Sequence, residues 1–165
     1  MAEADQFIVR QATADEVQAA RDVTNRSWLV TYPSLIGLEE TRALIATKHS
    51  VEKFHHQFEI GRDQFLVAVQ KDRVVGHVWG FEKDGFYVDR LHVDPNCKRL
   101  GIGSELLSAC EATLPEKSRF WLDVLKGNDA ALTFYLNFGF ERGAEVEGLV
   151  GVNAIVMEKT VRRPS

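Results

Sequence analysis

The stretch LHVDPNCKRLGIGSELLSACEATL, residues 91–114, carries most of the information about the fold. Leu91 and Val93 alternate around His92 as in a strand, and Pro95 stops that strand because proline cannot continue a ladder. A basic segment follows, Lys98-Arg99-Leu100, then a glycine pair, Gly101 and Gly103. Ile102, Leu106, Leu107, Cys110 and Leu114 next share one helical face, so a helix is expected over residues 103–114. Helix N-termini present unpaired N–H groups and a partial positive charge, and they bind anions without needing a particular side chain. Glycines let a phosphate come close to those groups. The loop can therefore seat a phosphate-bearing cofactor, or it can serve only tight strand-to-helix packing.

The flanking segments place this unit in a larger sheet. Residues 64–70 and 74–81 are apolar runs around Lys71-Asp72-Arg73 and read as an antiparallel hairpin; Asp84-Gly85 then turns the chain into a strand at 86–93. Residues 7–12 read as a first strand. Thr13 with Glu16 forms a capping box for a helix bearing Val17, Ala20, Thr24, Ser27 and Trp28, which ends at Tyr32-Pro33. Residues 38–60 read as helical in two pieces, broken at Lys48-His49-Ser50. Downstream, residues 119–125 make a buried strand and Asn128 caps a helix. In that helix Ala131, Phe134, Tyr135 and Phe138 recur at helical spacing, and Gly139 takes the C-terminal cap. Strands at 140–147 and 153–161 follow, and the tail after Thr160 reads as frayed. The expected fold is α/β (α+β): a mixed, mostly antiparallel central sheet flanked by helices, with one strand–helix–strand unit, in a single domain over residues 1–165.

Composition narrows the function. The 165 residues are 45% hydrophobic, enough for a buried core, and the formal net charge of −4 lacks the basic excess of a nucleic-acid binder. No apolar run approaches the ~20 residues of a membrane span. The first ten residues, MAEADQFIVR, lack the basic start and apolar run of a secretory signal. Cys97 and Cys110 fit no CxxC pattern or disulfide framework, so they are expected as reduced thiols in a cytoplasmic protein. His55 and His56 are adjacent on a helix and point about 100° apart, so no metal site is expected there.

The loop is not a P-loop, because Gly103 is followed by Ser104-Glu105 rather than Lys-Ser/Thr. A dinucleotide fingerprint would need Gly or Ala where Leu106 stands, although Asp123 lies at about the expected distance downstream. The segment Lys98-Arg99-Leu100-Gly101-Ile102-Gly103 resembles the pyrophosphate-binding motif of the GNAT superfamily of N-acetyltransferases, with Lys98 in place of the usual Arg or Gln. The segment FWLDVLKGNDAALTFYLNFGF, residues 120–140, resembles the same family's following strand, Asn, and helix bearing Tyr and ending in Gly-Phe. Asn128, Ala131, Phe134, Tyr135, Gly139 and Phe140 fall in register with it.

The resemblance implies acetyl-CoA as acetyl donor, held in a cleft between two splayed parallel strands. Pantetheine would pair with Leu91, His92 and Val93. The pyrophosphate would rest on residues 98–104, ending at Ser104. Asn128, Ala131, Phe134 and Tyr135 would hold the cofactor arm from the other side. It further implies direct attack by an amine, with Tyr135 as the acid for the leaving thiolate and a backbone N–H near Val93 for the oxyanion. Asp123 is implied as base, with His92 and Asp89 in reserve and ordered water as the other route. Trp28 and Tyr32 would line the pocket of the acceptor, a small-molecule or peptide amine, and a homodimer is expected. Two other functions stay open on sequence: a non-catalytic acetyl-CoA sensor or partner module, and a nicotinamide-binding protein.

Overall fold

The computed structural model describes residues 6–163. A seven-stranded sheet runs in the order β1-β2-β3-β4-β5-β7-β6. In chain order the elements are β1 (Ile8–Gln11), α1 (Val17–Thr31), α2 (Pro33–Ile36), α3 (Leu38–Lys48), α4 (Val51–Ile60), β2 (Phe65–Gln70), β3 (Arg73–Glu82), β4 (Phe86–Val93), α5 (Ile102–Glu111), β5 (Arg119–Leu125), α6 (Asp129–Phe138), β6 (Glu141–Leu149) and β7 (Val152–Thr160). Every neighbouring pair is antiparallel except β4 with β5. The expected mixed sheet and its single strand–helix–strand unit, β4-α5-β5, are therefore both present.

Local chemistry accounts for most boundaries. The β2–β3 turn has positive φ at both Lys71 (49°) and Asp72 (62°), the twist that a tight hairpin requires. The expected capping box of Thr13 and Glu16 is present, with the Glu16 carboxylate accepting the Thr13 N–H at 2.9 Å, and a turn of 3-10 helix leads into α1. Pro33 does not simply end the helical run: it sits in the first turn of α2, where its missing N–H costs nothing. Ser50 caps α4 by accepting the Lys53 N–H at 3.2 Å, which places the break in residues 38–60 at His49-Ser50. The glycine-loop helix starts at Ile102, one residue before the expected position, and stops at Glu111, short of the expected Leu114.

The sheet has apolar residues on both faces. One core gathers Val78, Phe86, Val88, Phe120, Leu122 and Met157 beneath α5 and α6; the other gathers Val17, Val23, Phe54, Phe58, Phe65 and Trp79 beneath α1 and α4. The segment after Thr160 is not frayed as expected. Val161 is fully buried, its N–H donates to the Ser118 carbonyl at 2.9 Å, and the Arg163 guanidinium reaches the Glu111 carbonyl at 3.1 Å. Residues 164–165 of that tail, like residues 1–5 of the segment tested for a signal, lie outside the described residues. Among the described residues no helix is long and apolar enough to cross a membrane.

Candidate active site

The site begins as a break in the sheet. β4 and β5 pair only at Phe86 with Phe120 and Tyr87 with Trp121, at the start of both strands. Beyond those pairs the strands part, and the β4 edge from Val88 onward faces open space rather than β5. A bulge sharpens the separation. In the β3–β4 register Trp79 faces Arg90 and Gly80 faces Val88, so Asp89 is an extra residue. The fork opens into a cleft of about 660 Å³. The residues singled out from the sequence border it, from Trp28 and Tyr32 to Asn128 and Tyr135, with the exception of Leu100. Leu100 packs instead on the core beneath α5, and the Ile102 side chain, 1% exposed, is also turned inward.

At one end of the cleft lies the glycine loop. Arg99 (φ 71°) and Gly101 (φ 81°) are both left-handed, and a Cβ built on Gly101 would meet nothing within 4 Å. The first α5 bond runs from the Glu105 N–H to the Gly101 carbonyl at 3.0 Å, so the N–H groups of Ile102, Gly103 and Ser104 have no helix partner. Asp94 braces the approach to the loop. Its buried carboxylate accepts the Asn96 N–H at 3.0 Å and pairs with Arg26 at 2.9 Å. Burial alone would raise its pKa, but those donors outweigh it and hold the carboxyl below the usual range.

The other wall comes from α1 and α6. His92 Nδ1 lies 2.9 Å from Ser27 Oγ, and Trp28 Nε1 donates to His92 Nε2 at 3.3 Å. Both ring nitrogens are therefore engaged. Burial, followed by the charges around it, pushes the His92 pKa down to about 3, so the ring is neutral and a weak base. Trp28 stacks edge-on against Tyr32, with centroids 4.4 Å apart. Burial and the Asp123 and Asp89 charges push the Tyr32 hydroxyl up to about 12. On α6, Asn128 accepts the Ala131 N–H at 3.3 Å, which caps the helix and leaves its amide nitrogen free. Tyr135 packs edge-on against Phe134 and Phe140 and is 9% exposed. Its hydroxyl has no hydrogen-bond partner among the described residues, and burial holds it well above the usual tyrosine range. Asp123 is exposed on the cleft side of β5 and accepts the Tyr87 hydroxyl at 3.1 Å, while Leu122 and Val124 on the opposite face are buried.

The sequence profile described as the Acetyltransferase (GNAT) family matches residues 26–140, a span from α1 through the fork to the end of α6. The chain belongs to the GNAT family. A curated relative, the uncharacterized N-acetyltransferase YesJ of Bacillus subtilis, is 32% identical over an alignment of 112 positions that covers 60% of this chain and 60% of YesJ. The match thus spans less than two thirds of that relative's length. The GNAT fold is seen again in solved structures. The PaiA N-acetyltransferase of Thermoplasma acidophilum, in complex with coenzyme A, has a TM-score of 0.77 at 21% identity, covering 94% of this chain and 99% of PaiA. The ribosomal-protein-S18-alanine N-acetyltransferase of Escherichia coli has a TM-score of 0.71 at 18% identity, covering 97% of both chains.

Acetyl-CoA, the acetyl donor of GNAT enzymes, fits the residues present. The open space over Gly101, the free N–H groups of 102–104 and the bare β4 edge match its pyrophosphate and pantetheine arm, and the orphan Tyr135 hydroxyl reaches the same cleft. Several neighbours escaped the sequence reading. Tyr87 holds Asp123 from 36 residues away, and Ser27 orients His92 from 65 residues away. Arg90, 6% exposed, donates to His77 Nε2 at 3.0 Å and to Gln57 Oε1 at 2.6 Å beneath the cleft floor. Ser27 sat in the apolar stripe of α1 as an outlier, which was a usable signal. Nothing local marked Tyr87 or Arg90.

Proposed function

We propose that this chain, as one domain, is an N-acetyltransferase that moves the acetyl group of acetyl-CoA onto an amine of a small molecule or peptide in a ternary complex. The observation that carries the reading is the Tyr135 hydroxyl, which sits at the tip of a buried ring, has no hydrogen-bond partner among the described residues and opens on the cleft formed by the β4–β5 fork. Acetyl-CoA supplies an acetyl group already activated as a thioester. Residues 98–104 hold its pyrophosphate, and the bare β4 edge aligns the arm so that the thioester lies near the fork. Asp123, oriented by Tyr87, takes a proton from the incoming ammonium, whose ordinary pKa is roughly 10.4. The neutral nitrogen then forms the C–N bond as the C–S bond breaks. Tyr135 gives its proton to the departing sulfur and is restored by the surplus proton of the new amide. The raised Tyr135 pKa keeps that proton in place throughout the neutral range. Trp28 and Tyr32 shape the acceptor side.

The two free thiols, Cys97 and Cys110, support a cytoplasmic setting. Strand β6, with residues 141–147 all exposed at the sheet edge, supports a homodimer built on that edge. Sedimentation of the purified protein tests the dimer.

The test of function is acetyl-CoA binding by calorimetry, with free CoA and NAD as controls, followed by turnover of an amine panel. Tyr135→Phe is expected to keep acetyl-CoA affinity and to lose about 100-fold or more in kcat. Wild-type turnover in that variant removes the acid role. Binding of acetyl-CoA without turnover of any amine converts the reading to a sensor.

A further inference from the structure

Ser27 is a polar outlier on the packed stripe of α1, and the direction of its hydrogen bond is fixed by its neighbours. The Trp28 indole Nε1 can only donate, so His92 Nε2, 3.3 Å away, is an acceptor and carries no proton. Burial keeps the ring neutral, so its one proton is on Nδ1. The Nδ1–H therefore donates to Ser27 Oγ at 2.9 Å. That leaves the hydroxyl's own proton to go elsewhere. Thr24, on the same helix, sends its hydroxyl back to the Ala20 carbonyl at 2.9 Å, a common outlet inside a helix. Ser27 makes no such bond among the described residues; half-buried, it borders the cleft.

The surroundings say what that proton can meet. Helix α1 runs antiparallel to β4: Arg26 meets Asp94, Ser27 meets His92, and Tyr32 feels the charge of Asp89. Ser27 thus stands between the glycine loop and the bulge. On β4 the Asp94 N–H donates to the Val75 carbonyl of β3 at 2.8 Å. Strand alternation then turns the Val93 N–H the other way, into the fork, and the Leu91 N–H with it. A side-chain O–H and two backbone N–H groups face the same stretch of the cleft, an arrangement suited to an oxygen that gathers negative charge.

We propose that the Ser27 hydroxyl is a catalytic hydrogen-bond donor to the thioester carbonyl oxygen of acetyl-CoA, acting with the β4 backbone N–H groups. The proposal rests on the acetyl-transfer reading above. As the amine nitrogen bonds to the carbonyl carbon, the C=O pair moves onto oxygen. Ser27 stabilises that charge without giving up its proton, and the pair returns as the C–S bond breaks. His92 is a positioning residue in this arrangement: by donating to Oγ it occupies a lone pair and keeps the O–H free for the cleft.

The test reads the carbonyl itself. In infrared difference spectra of isotope-labelled acetyl-CoA bound to the protein, the thioester C=O band should lie at lower wavenumber in the wild type than in Ser27→Ala. A serine that only supports His92 would leave the band in place. Across an amine panel, Ser27→Ala should lose about 100-fold in kcat, the cost of one such donor. Ser27→Thr keeps the hydroxyl and should recover most of that loss. The Kd for free CoA, which has no thioester carbonyl, should change by less than about twofold in Ser27→Ala. An unshifted band, wild-type kcat in Ser27→Ala, or a loss of CoA affinity as large as the loss of kcat overturns the donor role and leaves acetyl transfer standing. If acetyl-CoA binds and no amine turns over, the band alone decides: a shift lost in Ser27→Ala keeps the hydrogen bond while acetyl transfer falls. If acetyl-CoA does not bind, both fall.

Discussion

Tyr135 illustrates how much a single side chain can leave unsaid in a sequence. Its spacing with Ala131, Phe134 and Phe138 fits a packed face, and it does pack; only the unpartnered hydroxyl distinguishes it from a core aromatic. Tyr135→Phe should therefore leave the melting temperature within about 2 °C, because no hydrogen bond is lost. Asp94 should behave in the opposite way. Its carboxylate holds Arg26 and the Asn96 N–H while almost fully buried, so Asp94→Asn should cost about 1–3 kcal/mol in urea unfolding. Asn128 was legible because its partner, the Ala131 N–H, is three residues away. Asp123 was legible as a suspicious carboxylate in an apolar strand, but its tie to Tyr87 crosses between strands, and no spacing rule reaches that far.

Among the elements, the glycine loop offers two substitutions with opposite signs. Gly101 has φ of 81°, so Gly101→Ala should destabilise by about 1–2 kcal/mol even though the space is open. Gly103 is helical, and its added Cβ would meet Phe134 at an ordinary 3.4 Å. Gly103→Ala should raise stability by up to about 1 kcal/mol. It should also weaken acetyl-CoA binding, by roughly tenfold in calorimetry, if the pyrophosphate uses that gap. Long periodic elements such as α1 and α5 were readable because many residues repeat one signal. The four-residue α2 was missed because it is too short to show a period. The bulge at Asp89 was also hidden, since an extra residue exists only relative to a partner strand.

For the whole molecule, buried histidines couple folding to pH. Burial first, then Arg90, holds His77 well below its ordinary pKa, and burial first, then nearby cations, pushes His49 down to about 3. Both are neutral in the fold. His77 Nε2 accepts from Arg90, and His49 Nδ1 lies 2.9 Å from Asn25 Oδ1. The unfolded chain takes up these protons near pH 6.5 and the fold does not, so stability rises with pH through this window. Urea midpoints should fall as pH drops below about 6.5, by roughly 1 kcal/mol per histidine per pH unit, and flatten above 7.5. A midpoint that is level from pH 7.5 to 5 would rule this out. The net charge and composition carried none of this, because it depends on which histidines lie under α4 and which lie in solvent.

The fork between β4 and β5 has a mechanical consequence. With only two registered pairs joining them, β1-β2-β3-β4 and β5-β7-β6 behave like the arms of a wishbone, and whatever lies in the gap acts as its keystone. Acetyl-CoA should therefore slow deuterium uptake along the backbone of residues 88–93 far more than at the β6 edge. It should also raise the melting temperature in proportion to the logarithm of its concentration once in excess. Left without acetyl-CoA, the protein would be the easier prey for a protease.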